Sequence, residues 1–360
     1  MKLGFFTMPL HPPGSSLADS LAADLEQVVT LDKMGYEEAW FGEHFTSEWE
    51  SLPSPDLLIA AAIPQTKRIK LGTGVICMPS HNPFQVAHRI AVLDNLARGR
   101  LYFGVGSGGY PGDLEAFEVD GASGEQRVIT REAIDVILDL WKDPKPGKYH
   151  HKHWSFTVPE VKPGIGQKFH IKPFQKPHPP IAVAGVNAKS DTLLLAGERG
   201  WIPMSINLVP PATLITHWSS VMEGAKKTGL TPDRSQWRIA REVYVADTTE
   251  KARKEALAGV MARDFNEYLI PMLKGMQYMK LIKTDPAMPD AAVTPQYLMD
   301  NLWLVGSPDD VAQQIRNLYK TVGGFGTLLV MGHEWQPKDK WVHSMDLLMN
   351  KVMPKVADLK

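Results

Sequence analysis

Phe41-Gly42-Glu43-His44-Phe45 places an acid and a histidine directly after the apolar run Ala39 to Phe41. An imidazole beside a carboxylate can hold or pass a proton near neutral pH, because histidine titrates around pH 6.5 and its surroundings move that value easily. In α/β proteins catalytic groups gather where strands end at their C-terminal tips, so position and chemistry agree. A histidine beside an apolar run is also an ordinary structural residue, and the rest of the chain has to decide between the two. His333-Glu334 repeats the pattern after the apolar run Thr327 to Met331. His81 follows Thr73-Gly74-Val75, the end of a further run, so several strand ends offer active-site candidates.

Other stretches can hold a ligand. Arg100 to Pro111 runs from a strand into a glycine-rich turn that formally matches G-x-G-x-x-G through Gly104, Gly106 and Gly109. A dinucleotide fingerprint needs a helix opening on those glycines and an acid ending the next strand about 20 residues on. Here Asp113 to Gly124 is polar and irregular, and the next element, Arg127 to Trp141, reads as a helix. The glycines still allow close approach of a ligand, with the Ser107 hydroxyl available to a ring edge or phosphate. Gly185-Val186-Asn187-Ala188-Lys189-Ser190 is a small-residue turn feeding a helix that runs through Ala196. Free N–H groups and the helix dipole at such a start favour an anion, with Asn187, Ser190 and Lys189 as further donors. His150, His151 and His153 read as a solvated loop, since a metal would need ligands converging on one centre.

These candidates need a frame, and the chain supplies one in repeated βα units. Eight strands are expected: Leu3 to Met8, Glu38 to Phe41, Ile69 to Thr73, Leu101 to Val105, Ile181 to Ala184, Trp201 to Ile206, Arg238 to Ala246 and Thr327 to Met331. Eight such units suggest a closed (β/α)8 TIM barrel. Ser54 with Pro55 should cap and open a helix through Ala62, Ser307 with Pro308 one that ends at Gly323, and Gly35 and Gly229 should close two others. Pro144 to Pro180 and Leu269 to Asp300 exceed a minimal barrel and read as insertions at the C-terminal mouth that shape a pocket. The whole of 1–360 is expected to be one domain.

Composition narrows the function classes. With 39 basic and 40 acidic residues and a net charge of -1, there is no basic stripe for nucleic acid and no polybasic membrane anchor. The single cysteine, Cys77, excludes an internal disulfide framework and suits a reducing compartment. No apolar run reaches the roughly 18 residues of a membrane span, and a cytoplasmic protein is expected.

Together the motifs resemble one family, the bacterial luciferase-like flavin-dependent monooxygenases. They run from Leu3-Gly4-Phe5-Phe6 and Gly35 to His44 through Leu71 to Val75, His81-Asn82-Pro83, Leu93-Asp94, Arg98 to Gly106 and Leu304 to Pro308. Pro177 to Ala184 and Gly326 to His333 are similar to limonene monooxygenases and, more distantly, diketocamphane monooxygenases. The resemblance implies flavin mononucleotide (FMN) at the mouth, supplied reduced by a separate flavin reductase, usually in a homodimer. It implies activation of O2 at the flavin C4a carbon and oxygenation of a small apolar, terpenoid-like substrate. His44 matches the family's active-site histidine, Glu43 the acid beside it, and Gly74-Val75 a non-proline cis peptide under the isoalloxazine. Where luciferase has a reactive cysteine and a phosphate-binding arginine, this chain has Gly106 and Ser107, which moves the phosphate to Asn187, Ala188 and Ser190. The rival readings are a flavin- or deazaflavin-binding oxidoreductase without oxygenase activity and a metal-dependent barrel hydrolase using His44, His81 and His333. The hydrolase reading lacks an H-x-H pair after the first strand, where Thr7-Met8-Pro9 stands.

Overall fold

The computed structural model describes residues 1–359. Its barrel strands are β1 (Lys2–Thr7), β2 (Glu38–Phe41), β3 (Lys70–Thr73), β4 (Leu101–Gly106), β5 (Ile181–Gly185), β6 (Ile202–Ser205), β7 (Arg238–Arg241) and β8 (Thr327–Met331). All neighbours are parallel, and the sheet closes because β1 pairs with β8 and β3 with β4. The helices that follow the eight strands are α1 (Leu17–Met34), α2 (Pro55–Ala62), α3 (Pro83–Ala97), α4 (Glu125–Trp141), α5 (Asp191–Arg199), α6 (Pro211–Thr228), α7 (Pro308–Val322) and α8 (Lys338–Leu347). The fold is therefore the expected (β/α)8 barrel. The seventh strand is shorter than its apolar run. It breaks at Glu242, and Val243–Val245 leaves the barrel to pair with Leu304–Gly306.

Two apolar layers hold this architecture together. Outward-facing strand residues such as Leu3, Phe5, Phe41 and Phe103 pack under the helices, and each large buried side chain of this kind contributes about 1.5–3 kcal/mol. Inside the barrel Trp40 and Tyr102 stack with ring centroids 5.2 Å apart. They fit because Gly4 and Gly72 occupy inward positions on the neighbouring strands, where a Cβ would collide with Glu38 or Leu329 and with Trp40. The same interior carries one buried ion pair: Arg238 Nη2 lies 3.1 Å from Glu38 Oε2, and the Trp40 indole N–H donates to Glu38 Oε1 at 3.0 Å. Leaving either charge alone there would cost about 3–5 kcal/mol.

Helix ends follow the sequence signals with one exception. Ser307 accepts from the Asp310 N–H, and Gly35 and Gly229 take left-handed conformations with φ of 97° and 74°. Ser54 makes no side-chain cap hydrogen bond, so Pro55, with its preset φ, opens α2 without it.

The two insertions lie differently. Leu269 to Asp300 belongs to the connection leaving β7, so it rises from the C-terminal mouth as expected, as short helices that include Ile270–Gly275 and Pro295–Asn301. Pro144 to Pro180 joins the end of α4 to the start of β5, both at the opposite end of the barrel. Its two anchors therefore lie away from the mouth, unlike those of the second insertion. Lys172 Nζ donates to Leu140 O at the end of α4, and Gln175 bonds Asp94 near the end of α3. The antiparallel hairpin Gly147–His150 with Ser155–Val158 then runs up the outer flank, where Phe156 and Phe169 meet Phe84 at the start of α3. Repeated proline marks a long connection but carries no signal for which end of the barrel it serves.

Candidate active site at the barrel mouth

The mouth is built from the C-terminal ends of the strands. Phe6, Val75 and Ala184 are only partly buried there and rest on the interior cluster of Trp40, Met204, Ala240 and Met331, giving an apolar floor. The Gly74-Val75 peptide is cis, as the resemblance implied. Gly106 ends β4 against Val75, and a Cβ at Gly106 would collide with the valine side chain.

Glu43 and His44 go to different tasks. Glu43 is buried, and its carboxylate accepts from the Cys77 N–H at 2.9 Å and meets His81 Nε2 at 2.9 and 3.0 Å. It pins the loop after β3. Burial raises its pKa against the opposing pull of His81. Both Glu43 oxygens are engaged within the protein, by the Cys77 N–H and His81.

His44 stands between two carboxylates that carry no distinguishing mark in the sequence. Its Nδ1 is 2.8 Å from Asp113 Oδ2, and its Nε2 is 3.4 Å from Glu50 Oε2. Asp113 sits in the helix Pro111–Ala116, within the stretch after β4 read as irregular. Its other oxygen accepts from the backbone N–H groups of Phe45 and Thr46 and from the Thr46 hydroxyl. These bonds, with His44 first among them, outweigh burial and hold the Asp113 carboxyl below the usual range. Burial alone would lower the His44 pKa, but the Asp113 hydrogen bond and the Glu50 charge more than offset it, so His44 keeps its proton above pH 6.5. Glu50 shifts upward because burial outweighs His44 and the Tyr268 hydroxyl, which donates to Glu50 Oε2 at 2.7 Å. Tyr268 also stacks on Trp49 at 5.4 Å, so the residue just before the second insertion closes over this group. The His44 side chain remains 17% exposed, and Tyr110 lies against it at 4.9 Å.

His333 does not join this group. Its Nδ1 is 2.8 Å from Asp264 Oδ2, its carbonyl accepts from Gln27, and its side chain is 3% exposed. Its Nε2 is buried without a partner among the described residues. His333 stands at the end of β8 as expected, with its ring sealed from solvent and turned to Asp264. His44, His81 and His333 each turn to a separate carboxylate, and among the described residues no three His, Cys, Asp or Glu side chains converge on one centre. Among the same residues no helix is long and apolar enough to cross a membrane.

Ser107 follows β4 at the mouth, and Asn187, Ala188 and Ser190 follow β5. Asn187 and Ala188 are exposed, while Ser190 is the N-cap of α5 and accepts from the Leu193 N–H at 3.3 Å. Accepting there leaves the serine hydroxyl able to donate to an anion. An apolar floor on one side and hydroxyl and amide donors at a helix start on the other fit a flat, phosphorylated ring cofactor such as FMN.

A family model described as luciferase-like monooxygenase matches residues 1–324. The chain belongs to the luciferase-like monooxygenase family. It is 32% identical to 3,6-diketocamphane 1,6-monooxygenase of Pseudomonas putida, over 99% of this chain and 98% of that protein. It is also 32% identical to limonene 1,2-monooxygenase of Rhodococcus erythropolis, over 98% of this chain and 86% of that one. The solved structure of the oxygenating constituent of 3,6-diketocamphane monooxygenase from Pseudomonas putida, a type II Baeyer-Villiger monooxygenase in complex with FMN, superposes with a TM-score of 0.92. That pair shares 31% identity over 99% of this chain and 98% of the other.

Proposed function

We propose that this protein is the oxygenase of a two-component system: a cytoplasmic monooxygenase that uses FMN, reduced by a separate flavin reductase, and O2 to oxygenate a compact apolar, terpenoid-like substrate. The observation that carries this reading is the His44 group beside an apolar floor at the mouth, in a chain similar over nearly its full length to two terpenoid monooxygenases. Reduced FMN, when bound, supplies the electrons for oxygen activation. The protein's own part is binding, exclusion of water and proton control. Val75, Phe6 and Ala184 would underlie the ring, with Ser107 and Gly74 at its edge. Asn187, Ala188 and Ser190 would hold the phosphate. His44, oriented by Asp113 through Nδ1, would hold a proton at Nε2 for exchange with the reacting oxygen. Glu43 and the loop it pins keep His44 in place, and Leu269 to Asp300 would border the substrate. A homodimer is favoured by the exposed apolar side chains Leu57 on α2 and Val92 and Leu96 on α3.

The test is turnover with a flavin reductase, NADH, FMN and O2, offering a bicyclic ketone and a cyclic alkene side by side. An oxygenated product from either supports the reading, and FMN binding with no oxygenated product from any compact terpenoid sinks it. Ser190→Asp, which keeps an N-cap but adds a negative charge, should weaken FMN binding at least tenfold; an unchanged affinity would remove the phosphate from this turn.

A further inference from the structure

The turn after β5 is held from behind by a buried polar chain that the proposed chemistry does not use. His217 on α6 is wholly buried. Its Nε2 lies 2.9 Å from the Asn187 carbonyl oxygen, which can only accept, so Nε2 carries a hydrogen. Its Nδ1 lies 2.9 Å from Ser205 Oγ at the end of β6, and that hydroxyl already receives the Trp237 indole N–H at 2.9 Å. In the neutral ring Nδ1 accepts, so the Ser205 hydroxyl donates to it. The bonds therefore run one way, from indole to hydroxyl to imidazole to the Asn187 carbonyl. Burial lowers the His217 pKa to about 4, with the Arg241 charge acting in the same direction, so this tautomer persists at neutral pH.

A second contact fixes the same turn. The Lys189 N–H donates to Thr216 Oγ1 at 3.2 Å, and that hydroxyl donates to Thr213 O at 2.7 Å. Lys189 adopts φ 53°, a left-handed conformation that a non-glycine residue keeps only when its surroundings hold it. The helix providing both contacts is itself locked on α5, because Gly197 and Gly224 bring the two backbones so close that a Cβ on either would collide with a carbonyl of the other helix.

We propose that His217 is a positioning residue for the turn Asn187 to Ser190, setting the donors that select a phosphorylated flavin over an unphosphorylated one. This inference rests on the phosphate lying at that turn, as proposed above.

The experiment measures the affinities of the purified protein for FMN and for riboflavin by flavin fluorescence. His217→Phe fills the space without a hydrogen bond; it should lower FMN affinity about tenfold while riboflavin affinity stays within twofold. His217→Gln, whose amide can donate to the same carbonyl, should recover most of the preference. In flavin-free protein, amide hydrogen exchange at residues 187–190 should speed up in His217→Phe and return toward normal in His217→Gln. If Ser190→Asp lowers the FMN to riboflavin ratio and His217→Phe does not, the His217 inference fails and the phosphate reading stands. A ratio unchanged by both overturns both. Should His217→Phe not fold, Thr216→Val takes its place. A lowered ratio in that variant with a normal one in His217→Gln supports the proposal, and the opposite pattern overturns it.

Discussion

The loops after β2 and β8 start alike, each setting a histidine beside a glutamate at the end of an apolar strand, and end in opposite conditions. After β2, His44 lies between Asp113 and Glu50 with part of its ring open to the mouth. After β8, His333 binds Asp264, which Arg263 also grips through two N–H groups at 2.7 and 2.8 Å, and the ring is sealed. The glutamates part as well: Glu43 turns inward to His81, whereas Glu334 pairs on the surface side with Arg263 at 2.8 Å. The strand end supplies a location, and the partners arriving from distant loops decide whether that location does chemistry or holds the wall together.

The largest effect that would sharpen this contrast is on turnover. His44→Ala should cut product formation by about 10² to 10⁴, release hydrogen peroxide in its place and keep FMN affinity within a few-fold. Normal turnover in that variant would make the two histidines equivalent after all. His333→Ala should do the reverse, costing about 1–3 kcal/mol of stability in denaturant melts because Asp264 loses a buried partner, with turnover per folded molecule within a few-fold. A hundredfold loss of turnover in a stable His333→Ala protein would restore it to the reacting group.

Asp113→Asn tests the electrostatics between these extremes. The His44 pKa is raised, so the stability it contributes is fully present below pH 6.5, its unfolded value, and is lost as pH rises through the folded value. The stability gap between wild type and Asp113→Asn should therefore be wider at pH 6 than at pH 9; a gap that is flat or grows with pH contradicts the ion pair. Tyr268→Phe should have the smallest effect, about 0.5–1.5 kcal/mol of stability from one lost hydrogen bond, together with a downward move of the pH profile of turnover, because a more readily protonated Glu50 supports the His44 proton less. An unmoved profile would disconnect Tyr268 from His44.

Much of the frame was legible because apolar runs and turn residues report local structure. All eight strands sit where the sequence placed them, and Ser307, Gly35 and Gly229 end helices as expected. The seventh run, Arg238 to Ala246, shows where this stops, since periodicity registers burial but not the change of pairing partner at Glu242. Within the histidine group itself, only His44 was legible. Its partners Asp113 and Glu50 left no mark, because a carboxylate in a polar loop looks the same whether it meets water or an imidazole 69 positions away. His217 was equally silent. A histidine amid the small and apolar residues of α6 reads as helix filling until Ser205 and Asn187 come into place around it.

Tyr268 is mechanically part of the segment that leads into the second insertion, yet its hydroxyl is one of the interactions that favour the charged form of Glu50 against burial. A guest that moved the Tyr268 side chain off Glu50 would break that bond. Glu50 would then take up a proton more readily, and the field it exerts on His44 would weaken. A displacement of that segment would therefore reach His44 through Glu50, without any contact between the guest and the histidine.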